Sequence, residues 1–383
     1  MGIYSEYLDR SFDWPALTKE RKKQLSQISK LRGDRAILSF ASAMTKQAPI
    51  VIDYDDLVPI LDQISNLEGD KIDVILETPG GFAEIAEDIV KQIRSRFSEV
   101  AMIVPGHAKS AGTIMVMAGD EILMGPASAL GPIDAQMFQG GKRFSAHAFL
   151  EGLEKIKQEV EEQRHLNRAY VPILQNISPG EIQACENALS FSKTLVTEWL
   201  SKYKFKFWDT HSSTGEQVTD DDKKKRAQEI AEILCDHGRW LTHGRSIAIN
   251  DLREMRLKVI DFSEDVALYD AIRRYYTLLK MSFDTTNIFK IYETADSQIY
   301  RFATPQVGPV PKQKPNKAEI EFECPNCKTK TKIQANLKKG VPIQKGAVPF
   351  PKDNIFICPA CNNRIDLSTL RNQIESQSKR KIV

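Results

Sequence analysis

The feature that most constrains the fold is a pair of strand-to-helix junctions in the first third of the chain. An apolar, β-branched run at residues 72–76 ends at Pro79-Gly80-Gly81, and a helical pattern begins immediately afterwards. A second apolar run at residues 100–104 ends at Pro105-Gly106, after which Ser110-Ala-Gly-Thr113 opens another apolar helix. Strands that alternate with helices across short Gly/Pro turns are typical of a sheet covered by helices. The sequence therefore predicts an α/β fold.

The same patterns predict the elements along the rest of the chain. Apolar residues that recur every three or four positions indicate helices, and short β-branched runs indicate strands. The charged tract at residues 209–226 is predicted to be a surface loop. The predicted strands are 36–41, 72–77, 100–104, 121–124 and 257–260, and the predicted helices are 13–32, 54–67, 82–96, 110–118, 145–168, 178–203, 226–235, 249–256 and 264–281.

The two junctions also supply the groups that acyl transfer requires. This chemistry needs a nucleophile, and amide donors aimed at the oxyanion that develops on the attacked carbonyl. Ser110 is the candidate nucleophile, and the backbone amides of Gly80 or Gly81 and of Ala111 are the candidate donors. Glycines allow close backbone approach, and a helix N-terminus favours negative charge at the serine. A helix cap at Ser110 and a simple tight turn at the glycines remain the structural alternatives.

Three segments resemble the serine dehydrogenase proteinase family, which groups with the Clp proteases and signal peptide peptidases. They are Glu77-Thr-Pro-Gly-Gly-Phe82 through Ser110-Ala-Gly-Thr113, Met124-Gly-Pro-Ala-Ser-Ala-Leu-Gly-Pro-Ile-Asp134 and Trp240-Leu-Thr-His-Gly-Arg245. The resemblance spans residues 35–280. It implies a Clp/crotonase fold of stacked ββα units, assembly into homo-oligomers, and polypeptide substrates. The crotonase family shares this fold without a serine nucleophile.

The general base is the least specified part of the predicted site. Clp proteolytic subunits place a histidine after the serine, but the corresponding segment here, Ile133-Asp134-Ala-Gln136, contains none. Signal-peptide-peptidase relatives use a lysine, whose pKa must be lowered by burial before it can accept a proton. Lys193 lies at the edge of an apolar helix stripe and resembles a lysine in archaeal relatives. His243 is the competing base, and Asp134 is expected to orient a base or substrate, or to cap a turn.

Four cysteines form a second constellation near the C-terminus. Two Cys-x-x-Cys knuckles about 30 residues apart fit a tetrahedral zinc ribbon, with zinc in a structural role. The alternatives are iron in the same site, or redox-active or vestigial knuckles. The ligands would be Cys324, Cys327, Cys358 and Cys361.

The chain therefore divides into a predicted series of domains. They are an N-terminal helical arm at 1–34, a Clp/crotonase-like serine peptidase domain at 35–303, a Pro/Lys-rich linker at 304–318, the zinc ribbon at 319–372 and a basic tail at 373–383. No apolar run reaches the ~20 residues of a membrane span, and the N-terminus lacks the order of a signal peptide. A cytoplasmic location without membrane partners is expected.

The leading functional prediction is a serine peptidase that forms an acyl-enzyme on Ser110. One alternative is a crotonase-like acyl-CoA hydrolase or isomerase, although no sequence feature marks a nucleotide cofactor. The other is a catalytically silent homo-oligomer whose ribbon recruits a partner protein or nucleic acid. A net charge of +2 gives no electrostatic support for nucleic acid, and a ribbon that serves as a structural lid or substrate-docking domain is preferred to one that recruits a partner.

Overall fold

A computed structural model describes residues 2–139, 142–211, 214–303, 316–378 and 380–383. The chain divides after residue 304 into two compact units, which are described separately below. Most of the predicted linker at 304–318 lies outside the described residues, and the predicted domain limits remain predictions.

The first unit is built on a seven-stranded mixed sheet with the strand order β11-β10-β1-β2-β3-β5-β9. Strands β1, β2, β3, β5 and β9 run parallel, whereas β10 pairs antiparallel with β1 and β11 pairs antiparallel with β10. Short additional strands lie outside this sheet. The strands are β1 (Ala36–Ser42), β2 (Lys71–Glu77), β3 (Glu99–Val104), β4 (His107–Ala108), β5 (Glu121–Met124), β6 (Ala129–Leu130), β7 (Gln136–Gln139), β8 (Lys142–Ser145), β9 (Ile260–Asp261), β10 (Ile288–Glu293) and β11 (Gln298–Phe302).

Helices cover both faces of this sheet, which is why its central strands are apolar on both sides. Val74 and Leu76 of β2 belong to one apolar cluster, and Ile75 between them belongs to the other. The helices of the unit are α1 (Ile3–Asp9), α2 (Trp14–Leu31), α3 (Leu57–Ser65), α4 (Ala83–Arg96), α5 (Ala111–Val116), α6 (Ala146–Gln163), α7 (Val171–Leu174), α8 (Pro179–Trp199), α9 (Asp220–Cys235), α10 (His237–Trp240), α11 (Ile249–Glu254) and α12 (Val266–Thr285).

The two faces are covered by different helices. Helices α3, α4 and α5 contribute to the first cluster, together with α9 and the end of α8. Helices α2 and α12 contribute to the second and pack against each other. The predicted N-terminal arm therefore includes α2, whose Leu25 and Ile28 are fully buried against the sheet.

The structure corrects several predicted elements. The predicted loop at 209–226 is wrong in its last part, because α9 begins at Asp220. Thr219 and Asp222 form a capping box there, and acidic residues in the first turn suit the helix dipole. The predicted strand at 257–260 is reduced to β9, and the helix predicted to reach residue 203 ends at Trp199. It continues as a π-helical turn, Leu200–Lys204. Strands β10 and β11 and helix α1 had no counterpart among the predictions.

The second unit is a small β-rich body. Strands β12 (Lys317–Glu323), β13 (Lys330–Asn336) and β14 (Ala347–Pro349) form one sheet, and β15 (Ile355–Ile357) pairs with β16 (Arg364–Asp366). Helix α13 (Ser368–Ser378) follows and crosses the boundary predicted between the ribbon and the tail. Among the described residues of both units, none of the helices combines the length and apolar character needed to cross a membrane.

Candidate functional site

Ser110 occupies a sharp turn between β4 and α5. Its backbone has φ 51° and ψ −119°, a left-handed conformation that is uncommon for a residue with a side chain. Such strain costs about 1–3 kcal/mol and tends to occur at functional sites. The residue stands at the N-cap position of α5, yet its side chain makes no capping hydrogen bond. It is partly exposed, so the hydroxyl is not sealed inside packed side chains.

The diglycine turn lies directly against this serine. Gly80 has φ +95°, and a Cβ atom placed on it would lie 2.5 Å from the Cβ of Ser110 and 2.6 Å from the carbonyl oxygen of Lys109. A Cβ atom on Gly81 would lie 2.3 Å from the backbone oxygen of Ile52. Both glycines are therefore needed for close backbone approach, one toward the serine turn and the other toward the segment behind it.

Some backbone amides of these two turns already donate hydrogen bonds within the protein, and others do not. The N–H of Gly80 donates to the Thr78 hydroxyl at 3.1 Å. The N–H of Gly112 donates to the carbonyl of Lys109 at 2.8 Å. Within the described part of the chain, the amides of Gly81 and Ala111 donate to no protein acceptor. These two amides are the ones left for an incoming oxygen.

Four extended segments lie side by side and position the remaining groups. Thr78 pairs with Ala108, β4 pairs with β6, and Leu130 pairs with Ile247. Neighbouring extended segments lie about 4.8 Å apart, so residues just beyond these pairs converge at one end of the layer. Ser110 follows the second segment, and Asp134 follows the third.

Lys109 connects the serine turn by hydrogen bonds to the third and fourth extended segments. Its Nζ donates to the carbonyls of Leu130 at 2.8 Å and Arg245 at 3.2 Å, and lies 3.1 Å from the Ser246 hydroxyl. Burial lowers the pKa of Lys109. The sequence predictions assign this lysine no role, although its position next to the candidate nucleophile is a signal.

Asp134 is buried and faces two imidazoles. Its Oδ2 lies 3.2 Å from Nδ1 of His237 and 3.8 Å from Nδ1 of His243. Its Oδ1 accepts a hydrogen bond from the Ser145 hydroxyl at 2.7 Å. His237 has no role in the sequence predictions, and it also packs against the ring of His147, with 5.8 Å between centroids. The structure thus joins the carboxylate predicted to orient a base to one of the predicted bases, and to a second histidine.

Lys193 lies in a different environment from the one predicted for a base. Its Nζ is 2.7 Å from Oε1 of Glu232 on α9, and its side chain is 39% exposed. The hydrogen bond from Lys193 lowers the pKa of Glu232. A lysine base of the predicted kind must be buried, whereas this amine is partly exposed and held in an ion pair.

The four cysteines of the second unit form a candidate metal centre. All four sulfur atoms lie within 4.8 Å of one another. Sγ of Cys324 is 3.7 Å from Sγ of Cys361, and Sγ of Cys327 is 3.6 Å from Sγ of Cys358. Tetrahedral zinc with Zn–S bonds of about 2.3 Å requires sulfur separations of about 3.8 Å. The donor set and its spacing therefore fit a zinc ion.

With this geometry described, comparison with known proteins shows a family similarity over the first half of the chain. Residues 9–189 match the family of ClpP-like SDH-type serine proteinases. The match confirms the predicted resemblance and supports a ClpP-like α/β protease fold. It includes the diglycine turn, Ser110 and Asp134, whereas Lys193, His237 and His243 lie beyond its end.

The relatives found among curated proteins are archaeal. The uncharacterized protein MJ0137 of Methanocaldococcus jannaschii is 30% identical over 209 residues, which is 54% of this chain and 60% of that protein. The uncharacterized protein MJ1495 of the same organism is 28% identical over 246 residues, which is 63% of this chain and 71% of that protein. The first match thus spans less than two thirds of its relative's length.

Among solved structures, one similar chain is a mutant of the 1510-N membrane-bound stomatin-specific protease. It is 16% identical and covers 57% of this chain and 79% of its own, with a TM-score of 0.32.

Proposed function

We propose that this protein is a serine peptidase that cleaves polypeptides through an acyl-enzyme on Ser110. The observation that carries the proposal is the close approach of the Gly80 backbone to the serine turn, together with the amides of Gly81 and Ala111, which donate to no acceptor in the described part of the chain. The family match over residues 9–189 supports the same reaction class.

The proposed mechanism follows from these groups. The Ser110 oxygen attacks the scissile carbonyl carbon while a base accepts the hydroxyl proton. The amides of Gly81 and Ala111 stabilise the negative oxygen of the tetrahedral intermediate. The intermediate collapses when the peptide nitrogen takes the proton from the base and leaves, and water then hydrolyses the ester. The amide of Gly80 is not a donor in this proposal, since Thr78 already accepts its hydrogen bond.

We assign the base to His243 and the orienting role to Asp134. Nδ1 of His243 lies 3.8 Å from Oδ2 of the buried carboxylate, an arrangement in which the acid can orient the imidazole as a general base. His243 is two residues before Arg245, whose carbonyl binds Lys109 next to the nucleophile. Lys193 is disfavoured by its ion pair with Glu232, and His237 by its packing on His147.

A fluorophosphonate probe tests the nucleophile and the base together. Wild-type protein should be labelled at Ser110, and Ser110→Ala should not be labelled. His243→Gln should slow labelling and peptide cleavage about 100- to 10,000-fold, the usual contribution of a general base, whereas Lys193→Met should retain both. Absence of labelling in a folded wild-type protein would refute the peptidase. Loss of labelling in Lys193→Met, but not in His243→Gln, would instead assign the base to the lysine.

We further propose that the four cysteines hold a structural Zn²⁺ and that the second unit docks a partner or substrate protein. Reduced thiolates persist as metal ligands in the cytoplasm, and all six cysteines are unbridged, which supports a cytoplasmic location. Metal analysis of purified protein should find one zinc per chain, and cell fractionation should place the chain in the soluble cytoplasmic fraction. Deletion of residues 305–383 should spare cleavage of short peptides and reduce cleavage of folded protein substrates.

A further inference from the structure

A large cavity of the first unit lies outside the proposed peptidase site. Its volume is about 760 Å³, within the range of small-molecule sites. Its wall is formed by the start of β5, the end of the π-helical turn after α8, the following loop, one face of α9 and the segment between α11 and β9. No residue proposed for the reaction lines it.

Positive charge in this cavity exceeds the negative charge available to neutralise it. The carboxylates that line it are already paired, Asp120 with Arg94, Glu121 with Arg32, and Glu229 with Arg226. Three lining cations remain. Among the described residues, no carboxylate lies within ion-pair distance of Lys204, Arg256 or Lys258.

The backbone presents two of these cations in unusual conformations. Lys204 ends the π-helical turn, a rare element that is frequent at functional sites. Its Nζ donates to the carbonyl of Asp120, at 3.2 Å. Arg256 has φ +55°, a conformation that costs free energy in a residue with a side chain. Burial lowers the pKa of Lys204 to about 8, so its charge would be stabilised by an anion in the cavity.

An aromatic wall faces the same space. Trp208 lines the cavity and packs edge-on against Phe205 and His211, with 5.5 Å and 5.2 Å between ring centroids. These contacts hold the indole in place. Phe207 also lines the cavity and is 70% exposed. Exposed aromatic rings beside cations are the combination that binds a planar ring attached to phosphates.

We propose that this cavity binds a phosphorylated compound with an aromatic ring, about the size of a nucleoside diphosphate. Its phosphates bind Lys204, Arg256 and Lys258, and its ring stacks on Trp208. The site is separate from the peptidase groups and does not depend on the proposed reaction.

Isothermal titration calorimetry of the full-length protein tests the site with ADP, GDP, pyrophosphate and adenosine. One equivalent of a nucleoside diphosphate should bind, more tightly than pyrophosphate and much more tightly than adenosine. The pair Lys204→Met with Arg256→Ala should lower the diphosphate affinity at least tenfold, since it removes two charge-assisted contacts to the phosphates. Trp208→Leu should weaken nucleotide binding and leave pyrophosphate binding unchanged.

Lys202→Ala is the matched control, because Lys202 lies two residues before Lys204 in the same π-helical turn and contacts the ring of Tyr203 instead of lining the cavity. Thermal melting establishes that each variant is folded. The proposal is overturned if neither nucleotide nor pyrophosphate binds the folded wild-type protein at millimolar concentration. It is also overturned if Lys202→Ala weakens binding as much as the double variant does.

Discussion

Replacement of Gly80 by alanine tests the contact on which the proposed active site depends. The added methyl would lie 2.5 Å from the Cβ of Ser110 and 2.6 Å from the oxygen of Lys109, where ordinary contacts are 3.4–4 Å. None of these atoms is the far end of a flexible side chain. The serine turn must therefore move to admit the methyl group, and the hydroxyl moves with it.

The expected loss in the free energy of unfolding distinguishes backbone strain from steric overlap. A left-handed conformation costs an alanine about 1–2 kcal/mol, partly offset by about 0.4–1 kcal/mol from the stiffer unfolded chain. Overpacking against atoms that cannot retract adds about 1–3 kcal/mol. Gly69→Ala is the matched control, because Gly69 has φ +85° and open space around it. We expect a loss of about 1 kcal/mol for Gly69→Ala and about 2–4 kcal/mol for Gly80→Ala.

Urea unfolding followed by tryptophan fluorescence measures these losses. All four tryptophans, Trp14, Trp199, Trp208 and Trp240, belong to the first unit, so the signal reports on that unit alone. Fluorophosphonate labelling at low urea measures the active site. Gly69→Ala should be labelled like wild type, whereas Gly80→Ala should be labelled at least 100-fold more slowly, since small misplacements of a reacting group have effects of this size. Equal stability and equal labelling of the two variants would refute the packing of Gly80 against Ser110.

Three further predictions concern the serine turn, the cavity and the metal centre. Ser110→Gly should abolish labelling but raise the free energy of unfolding by about 1 kcal/mol relative to Ser110→Ala, because glycine relieves the left-handed strain; equal urea midpoints would contradict the strain. The folded pKa of Lys204 is about 8 against an ordinary 10.5, so the unfolded chain binds more protons between these values and wild-type stability should rise with pH there. Lys204→Met should therefore be more stable than wild type at pH 7, by about 1–3 kcal/mol, with the advantage shrinking toward pH 10.5; a constant difference across that window would argue against the charge effect. Cys324→Ser should bind zinc at least tenfold more weakly and lose the secondary structure of the second unit on addition of a chelator, while unchanged metal content would exclude this cysteine as a ligand.

Much of the sheet could be predicted from local sequence pattern. Strands β1 to β3 place apolar residues on two buried faces, and α4 follows the diglycine turn with apolar residues at helical spacing. The spacing of apolar residues and the Gly/Pro turns therefore predict the same strand-turn-helix order. Strand β10 could not be predicted from its sequence because it carries a charged residue, Lys290, inside the sheet. The buried Lys290 amine forms an ion pair with Asp56 of the segment before α3, at 2.7 Å. No local pattern reveals a partner more than 200 residues away.

The glycines and the serine of the candidate site were predictable for a similar reason. Turns that need a positive φ or a close approach of two backbone segments can be recognised in the sequence, because few residues other than glycine tolerate them. The base was not predictable in this way. Asp134, His237 and His243 have no common spacing, and they meet because the segment before Asp134 bonds to Leu234 of α9 and pairs with Ile247.

The sequence by itself determined the α/β class, the strand-turn-helix junctions and the two cysteine knuckles, since each depends on residues close together in the chain. Tertiary structure alone decided which amides stay free beside Ser110, which imidazoles face Asp134, and that Lys193 pairs with Glu232. These outcomes depend on hydrogen-bond partners and burial contributed by distant segments, and such contacts are defined only once the chain has packed.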